Sequence, residues 1–187
     1  MPSPKGPPEL KHLDHILVSQ LAIKRRIAEL GAQLNHDYAK KDLMVVAIVN
    51  GALIFTADLL RQMRSPLRLD CLRASSYHSG TRAVGEPRIV DQMKLDVKDQ
   101  HVLLVDDILD TGKTLAAVAG LIKSKGAASV KTCVLLDKKA RRAVPFEADY
   151  VGFEIPNEFV VGYGLDFNER YRNLPCIGVL KPKYYAA

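Results

Sequence analysis

Three carboxylates and a glycine-containing turn lie close together in this sequence. Asp106, Asp107 and Asp110 follow an apolar run that starts at His101, and 111–114 reads Thr-Gly-Lys-Thr. Backbone amides and hydroxyls at the start of a helix bind phosphate. Clustered carboxylates would repel a phosphate unless sugar hydroxyls or a divalent cation lay between them. The combination therefore predicts a site for a sugar phosphate and magnesium.

Each feature alone has an ordinary structural explanation. A lone Asp-Asp pair is more often a helix-capping cluster, and a lone glycine is more often a turn residue. A nucleotide-kinase loop is excluded, because its GxxxxGK[ST] pattern needs glycine where this chain has Asp107. The coincidence of all these features in one turn favours a ligand site.

The segments around this turn predict an α/β fold. Apolar residues recur at helical spacing in 18–38, 52–63 and 113–125. Apolar runs at 43–49, 101–106 and 129–136 predict buried strands, and 67–74 also predicts a strand. Strands alternating with helices imply βαβ units, and so a parallel-sheet core with helices on both faces. Such sheets bind ligands at the carboxyl ends of their strands. The strand-rich stretch 149–180 predicts a small hood or flap.

The composition predicts one globular domain. Residues 1–9 are proline-rich and predict a flexible arm, 10–187 predict a single domain, and the Gly- and Ser-rich stretch 75–87 predicts a mobile loop. No apolar stretch has the length of a membrane helix, so we expect a cytoplasmic protein without a membrane partner. Cys71, Cys133 and Cys176 are scattered and predict buried thiols.

The net charge of +6 indicates an anionic partner, either a phosphorylated small molecule or nucleic acid. The densest basic run, 138–142, lacks interleaved aromatic residues, which makes nucleic acid an unlikely partner. Its default interpretation is a solvated surface face. His12 and His15 have no accompanying carboxylate constellation and are assigned to the surface.

Three segments carry a family resemblance. The stretch 105–114, Val-Asp-Asp-Ile-Leu-Asp-Thr-Gly-Lys-Thr, resembles the phosphoribosyl pyrophosphate signature of type I phosphoribosyltransferases, and 151–156 and 159–172 resemble their hypoxanthine-guanine branch. With Asn50-Gly51 and Ser76-Tyr77, the matching segments span nearly everything from about 43 to 180. The resemblance implies purine salvage: the 5-phosphoribosyl group moves from phosphoribosyl pyrophosphate to N9 of hypoxanthine, and of guanine, giving IMP or GMP and pyrophosphate.

The resemblance also implies a role for each matching residue. Asp110 would take or share the purine N7 proton, and Asp106 and Asp107 would hold the ribose hydroxyls directly or through Mg²⁺. The remaining roles are 5′-phosphate binding by Thr111, Gly112, Lys113 and Thr114; pyrophosphate binding by Asn50, Gly51, Ser76, Tyr77 and Arg172; and purine binding by Lys138, Phe159 and Val160. Asp166 is assigned to the purine pocket and to a second Mg²⁺ carried by pyrophosphate. Without the motifs, the purine-pocket residues would be ordinary core residues or surface charges; these are Lys138, Phe159, Val160 and Asp166.

Two positions depart from the family pattern. Asn50 stands where many relatives have lysine, in a loop with a non-proline cis peptide that we predict at Asn50–Gly51. Asp106 stands where many purine-specific members have glutamate. Xanthine specificity remains an alternative, as does a nucleotide-sensing RNA-binding regulator on the same fold. The resemblance further implies a homodimer or homotetramer.

Overall fold

A computed structural model describes residues 8–75, 78–79, 82–83, 88–89 and 93–186. The three α-helices within these ranges are α1 (Gln20–Asp37), α2 (Leu53–Leu60) and α3 (Lys113–Ser124). The strands are β1 (Leu13–Val18), β2 (Leu43–Val49), β3 (Arg68–Ser75), β4 (His78–Ser79), β5 (Arg82–Ala83), β6 (Arg88–Ile89), β7 (His101–Leu109), β8 (Ser129–Asp137), β9 (Tyr150–Glu154), β10 (Val160–Val161) and β11 (Ile177–Leu180).

The main sheet confirms the predicted α/β architecture. Its strand order is β6-β3-β2-β7-β8-β9, in which β3, β2, β7, β8 and β9 are parallel and only the short β6 is antiparallel. The strand predicted at 101–106 is longer than expected, because β7 stays paired with β8 as far as Leu109. Asp106 and Asp107 therefore lie within the strand, and the turn begins only at Asp110.

Helices cover both faces of the central strands β2, β7 and β8, which explains why these strands are apolar along most of their length. Successive side chains of a strand point to opposite faces. Val45 and Leu103 pack with the buried residues of α1 and α2, whereas Met44 and Leu104 pack with those of α3. All four side chains are at most 1% exposed. The prediction of helices on both faces is confirmed.

Helix α2 ends three residues before the predicted boundary at Met63, and a side chain of α1 explains the difference. The Asn35 amide donates to the carbonyl of Gln62 (2.8 Å) and accepts from the N–H of Arg64 (2.8 Å). A Cβ on Gly31 would lie 2.3 Å from the Cβ of Gln62, so the glycine lets α1 approach this chain end closely. These contacts hold the chain in turns beyond Leu60.

The hood is a separate three-stranded sheet in the order β1-β11-β10. The stretch 149–180, in which the hood is predicted, contributes β10 and β11, and the rest of the arrangement differs in two respects. β9 pairs in parallel with β8 and completes the main sheet, while the N-terminal β1 pairs with β11. The surface assignment of His12 is wrong. Its Nδ1 lies 3.0 Å from the Tyr171 hydroxyl, and its ring centroid lies 4.3 Å from that of Tyr184.

The three cysteines are free, but they are not all buried as predicted. Cys133 and Cys176 are buried, whereas Cys71 is exposed on β3. The strand alternates there, with Leu69 and Cys71 exposed and Asp70 and Leu72 buried, because no helix covers that face of β3. In the described part of the chain, no helix has the length and apolarity needed to cross a membrane.

Candidate active site

Asp106 and Asp107 lie near the carboxyl end of β7, which ends at Leu109. Asp106 is 8% exposed, and its Oδ1 accepts the backbone N–H of Asp107 at 3.0 Å. Burial, followed by the charge of Asp107, raises the pKa of Asp106 well above its ordinary value. Burial likewise raises the pKa of Asp107, although its hydrogen bond with Asp106 and the charge of Arg172 oppose the rise. Two buried like charges of this kind favour a proton or a cation between them.

The loop between β2 and α2 lies against this pair. A Cβ on Gly51 would be 1.9 Å from Oδ2 of Asp107, so only glycine permits the contact. The cis peptide of the loop is Val49–Asn50, and the prediction of a cis bond at Asn50–Gly51 is wrong by one residue. The strand pairing of β2 ends at Val49, so the chain changes direction one bond earlier than expected.

Asn50 has a basic neighbour on the adjacent strand. Its Oδ1 lies 3.5 Å from Nη2 of Arg73, an exposed residue that pairs with Val49 across β3 and β2. No sequence pattern singled out Arg73. It brings a guanidinium to the strand end where the family resemblance leads one to expect a lysine.

The segment between β10 and β11 of the hood packs against the other side of the β2–α2 loop. A Cβ on Gly164 would be 2.1 Å from the carbonyl oxygen of Gly51, and the φ of Gly164 is +106°. The Arg172 guanidinium donates to the carbonyl of Gly164 (2.8 Å) and pairs with Asp166 (2.8 Å) and Glu169 (2.8 Å). Arg172 and Asp166 thus lie beside the Gly51 loop and near Asp107.

The turn between β7 and α3 leaves backbone donors free. Gly112 is the N-cap of α3 with a φ of +82°, and a Cβ there would be 3.0 Å from Cγ2 of Val144. In the described structure, the N–H groups of Thr111 and Gly112 make no hydrogen bond to another residue. The Lys113 side chain is exposed. Free amides at the N-terminus of a twelve-residue helix favour an anion.

Asp110 begins this turn and faces two basic residues that follow β8. Its Oδ2 lies 3.2 Å from Nη1 of Arg141, whereas its Oδ1 is buried and has no hydrogen-bond partner in the described structure. Lys138 is 5% exposed and donates from Nζ to the carbonyl of Glu158 at 2.9 Å. Burial lowers the pKa of Lys138, and the charge of Asp110 opposes that effect.

The prediction of a solvated face for 138–142 is therefore wrong for most of its charges. Lys139 is exposed and pairs with Glu154 at 2.8 Å, as a surface lysine would. Lys138 is buried, Arg141 contacts Asp110, and Arg142 forms an ion pair with Asp137. Sequence analysis missed both arginines, although their position directly after a buried strand next to Lys138 was an available signal.

The predicted base-stacking residue lies on the hood. Phe159 precedes β10 and follows Glu158, whose carbonyl binds Lys138. The Phe159 ring stacks on Tyr185, with centroids 4.6 Å apart and planes at 28°. Tyr185, which no sequence pattern singled out, covers one face of the ring, and the Phe167 ring lies at 87° to it with centroids 5.7 Å apart. Val160 is buried and pairs with Val179 of β11.

Most of the predicted site residues are thus linked through contacts at the carboxyl ends of β2, β7 and β8. Ser76 and Tyr77 lie outside the described residues, as do most of the predicted mobile loop 75–87 and most of the predicted arm 1–9. Within the described ranges, no group of three or more His, Cys, Asp or Glu side chains is arranged to hold a metal ion by itself.

Comparison with known proteins agrees with this geometry. The profile of the phosphoribosyl transferase domain matches residues 15–168. The chain belongs to this phosphoribosyltransferase family. It is 48% identical over 171 residues to the hypoxanthine-guanine phosphoribosyltransferase of Streptococcus pneumoniae, covering 91% of this chain and 95% of that protein.

Two further phosphoribosyltransferase relatives define the extent of the similarity. A crystal structure of a hypoxanthine phosphoribosyltransferase from Staphylococcus aureus aligns with a TM-score of 0.90 at 43% identity, over 95% of this chain and 97% of that one. The bifunctional protein TilS/HprT of Listeria innocua is 46% identical over 174 residues, which cover 93% of this chain but only 27% of that protein. The resemblance to the hypoxanthine-guanine branch is confirmed.

Proposed function

We propose that the chain acts as a hypoxanthine-guanine phosphoribosyltransferase at this site. It transfers the 5-phosphoribosyl group of phosphoribosyl pyrophosphate to N9 of hypoxanthine or guanine, giving IMP or GMP and pyrophosphate. The observation that carries the proposal is the turn at Asp110–Thr114, where unbonded amides at a helix N-terminus stand next to the paired carboxylates of Asp106 and Asp107. This arrangement matches a sugar that carries a phosphate at one end and hydroxyls at the other.

The 5′-phosphate binds at the start of α3. Among the described residues, the N–H groups of Thr111 and Gly112 have no acceptor, and the hydroxyls of Thr111 and Thr114 add further donors. Hydrogen bonds to a charged group contribute about 1.5–3 kcal/mol each. The backbone N–H of Lys113 lies 3.5 Å from Oγ1 of Thr111 and adds to this set of amides, while the Lys113 side chain is exposed.

The carboxylates of Asp106 and Asp107 accept the ribose hydroxyls, directly or through Mg²⁺. The pair fits magnesium, because its carboxylate oxygens are hard donors and its buried charges lack a full neutralising partner. The absence of a third ligand group among the described residues also fits, since Mg²⁺ is usually held by one or two carboxylates together with substrate phosphates. Asp166 would hold a second ion. When bound, Mg²⁺ neutralises the charge that develops on the pyrophosphate.

Pyrophosphate binds between the β2–α2 loop and the hood. Asn50 and Gly51 offer backbone amides, and Arg172 brings a guanidinium whose charge opposes the rise that burial causes in the pKa of Asp107. We also assign Ser76 and Tyr77 to pyrophosphate, although they lie outside the described residues. Exclusion of water matters here, because water would compete with the purine for the reactive sugar carbon.

The purine lies between Asp110, Lys138 and Phe159. The unpartnered Oδ1 of Asp110 accepts the N7 proton, and Lys138 donates from Nζ to the 6-oxo group. Phe159 stacks on the base with the face that Tyr185 leaves free, and Val160 contacts it through the backbone. A donor at the 6-position selects 6-oxopurines over adenine, whose 6-amino group is itself a donor.

The reaction breaks the bond between C1′ and the pyrophosphate oxygen and forms the bond from N9 to C1′. Positive charge develops on the ribose before N9 attacks, and the carboxylates of Asp106 and Asp107 lie where they would stabilise it. As N9 bonds to C1′, the proton on N7 passes to Asp110. Lys138 stabilises the negative charge that the 6-oxo group gains.

We also propose that the protein is a homo-oligomer and is located in the cytoplasm. Residues 10–187 form one phosphoribosyltransferase domain. A homodimer or homotetramer would cover Leu69 and Cys71, whose side chains are exposed on the uncovered face of β3. A cytoplasmic location agrees with three free cysteines, because thiols stay reduced there.

The test is the release of pyrophosphate from purified protein supplied with phosphoribosyl pyrophosphate and Mg²⁺. Hypoxanthine, guanine, xanthine, adenine and uracil are assayed separately, with and without a chelator. We expect turnover with hypoxanthine and guanine, none with adenine or uracil, and loss of turnover when the metal is removed. Xanthine turnover equal to that of hypoxanthine would contradict the proposed specificity.

If no base supported pyrophosphate release, the enzymatic function would be rejected. A nucleotide-sensing RNA-binding regulator on the same fold would then remain as the alternative. Retention of RNA in a gel that depends on nucleotide and falls steeply with salt would support that alternative. The buried, unpartnered Oδ1 of Asp110 favours the enzyme, because a regulator has no need of a proton acceptor at this position.

A further inference from the structure

We infer that Arg142 is a positioning residue for the 5′-phosphate loop, and that its ion pair with Asp137 connects this loop to the purine pocket. This inference rests on the function proposed above. Arg142 lies five residues after Asp137, and its guanidinium reaches back across the turn at the end of β7. The two side chains are 13% and 3% exposed, so the ion pair is shielded from water.

The guanidinium of Arg142 holds two consecutive peptide groups of the loop. Its Nη1 donates to the carbonyl of Leu109 at 3.1 Å and to that of Asp110 at 2.5 Å. The next carbonyl, that of Thr111, accepts the backbone N–H of Ala143 at 2.9 Å. Three successive carbonyl oxygens are therefore fixed by the segment that carries Arg142.

Fixing these carbonyls also fixes the direction of the amides. In a planar trans peptide, the C=O of one residue and the N–H of the next point in opposite directions. With the carbonyls of Asp110 and Thr111 turned toward Arg142 and Ala143, the N–H groups of Thr111 and Gly112 point away from them. Those are the two amides left without an acceptor in the described structure. Arg142 thus sets the orientation on which phosphate binding depends.

Asp137 links Arg142 and the phosphate loop to the base pocket. It is the last residue of β8 and is followed directly by Lys138, whose N–H donates to the carbonyl of Leu109 at 2.9 Å. The Leu109 carbonyl thus accepts from Arg142 and from Lys138. A shift of Arg142 would move the phosphate loop relative to Lys138, and therefore change the distance between the phosphate and base subsites.

Gly112 makes room for the Arg142 side chain. A Cβ on Gly112 would be 3.2 Å from Cδ of Arg142 and 3.4 Å from Cβ of Phe146, in addition to its contact with Val144. The positive φ of Gly112 therefore serves two purposes, the turn into α3 and the passage of the arginine. A side chain at this position would push against the guanidinium that holds the turn.

The test compares three variants by steady-state kinetics and by titration with ribose 5-phosphate. Arg142→Gln is made together with Asp137→Asn, because Asp137 alone would be left as a buried unpaired charge that could prevent folding. Arg142→Lys keeps the charge but cannot bond both carbonyls and the carboxylate at once. Lys139→Gln is the matched control, since it removes one exposed positive charge from the same segment.

We expect the double variant to fold and its KM for phosphoribosyl pyrophosphate to rise about 10- to 100-fold, the equivalent of about one hydrogen bond to a charged group. Ribose 5-phosphate affinity should fall by a similar factor, and the KM for hypoxanthine should change much less. Arg142→Lys should lie between the double variant and the wild type, and Lys139→Gln should match the wild type.

An unchanged KM for phosphoribosyl pyrophosphate in the folded double variant would overturn the inference. So would an equal rise in the KM values of both substrates, which would indicate a general loss of structure. A rise of the same size in the KM of Lys139→Gln for phosphoribosyl pyrophosphate would also overturn it, because any positive charge in the segment would then have the effect assigned to Arg142. A wild-type protein without turnover would instead reject the proposed function.

Discussion

Replacing Asp110 with asparagine should lower kcat about 10²- to 10⁴-fold, the usual contribution of a positioned general base. Asparagine keeps the size of the side chain but cannot accept the N7 proton. The change removes the carboxylate whose Oδ1 is buried without a partner, and it leaves Arg141 without its ion pair. The measurement is pyrophosphate release with hypoxanthine, alongside the affinity of the variant for phosphoribosyl pyrophosphate.

We expect that affinity to stay close to the wild-type value, because Asp110 is not assigned to either phosphate group. Asp96→Asn is the matched control, since Asp96 is an exposed carboxylate whose only described hydrogen bond, from the N–H of Lys98, an amide oxygen can also accept. It should leave turnover unchanged. A kcat for Asp110→Asn within a few-fold of the wild type would show that another group takes the proton.

Replacing Gly51 with alanine should lower kcat/KM for phosphoribosyl pyrophosphate about 100-fold, the cost associated with a displacement of about 1 Å at a reacting centre. The new Cβ would be 1.9 Å from Oδ2 of Asp107 and 2.6 Å from its Cγ. Either the carboxylate or the loop must move. Since Asp107 is assigned to the ribose and Gly51 to pyrophosphate, either movement separates two groups that act on the same substrate.

Gly120→Ala is the control for this substitution. Gly120 lies on the exposed side of α3, and a Cβ there would meet no atom within 4 Å. Alanine at such a position should leave activity unchanged and stabilise the helix by about 0.5–1 kcal/mol, which a thermal unfolding curve would detect. If Gly51→Ala were as active as Gly120→Ala, the contact between the loop and Asp107 would have no part in catalysis.

The main sheet could be predicted from the sequence because each buried strand carries its own signal. The run at 43–49 and the helical spacing at 113–125 are both long and uninterrupted, and they appear as β2 and α3. The hood was harder to predict. β10 has only two residues, and β1 pairs with a strand more than 150 residues away, so local periodicity contains no information about either pairing.

The candidate site likewise contains residues that a local sequence pattern reveals and residues that it does not. Asp106, Asp107 and Asp110 could be found because three carboxylates next to a Thr-Gly turn form an unusual local pattern. Arg141 and Arg142 offered only the weaker signal of a position directly after a buried strand, because an arginine's charge alone does not identify its contact with Asp110 on the neighbouring strand end. The stacking of Tyr185 on Phe159 is a contact of the same kind, since it joins the C-terminal end to the hood.

The most direct test of the account is a crystal structure of the protein with IMP and Mg²⁺ bound. The account predicts the 5′-phosphate within about 2.7–3.2 Å of the N–H groups of Thr111 and Gly112. It also predicts the ribose hydroxyls at Asp106 and Asp107, directly or through the metal, and the 6-oxo group at Nζ of Lys138. A nucleotide bound elsewhere, or bound here with its phosphate away from the start of α3, would contradict it.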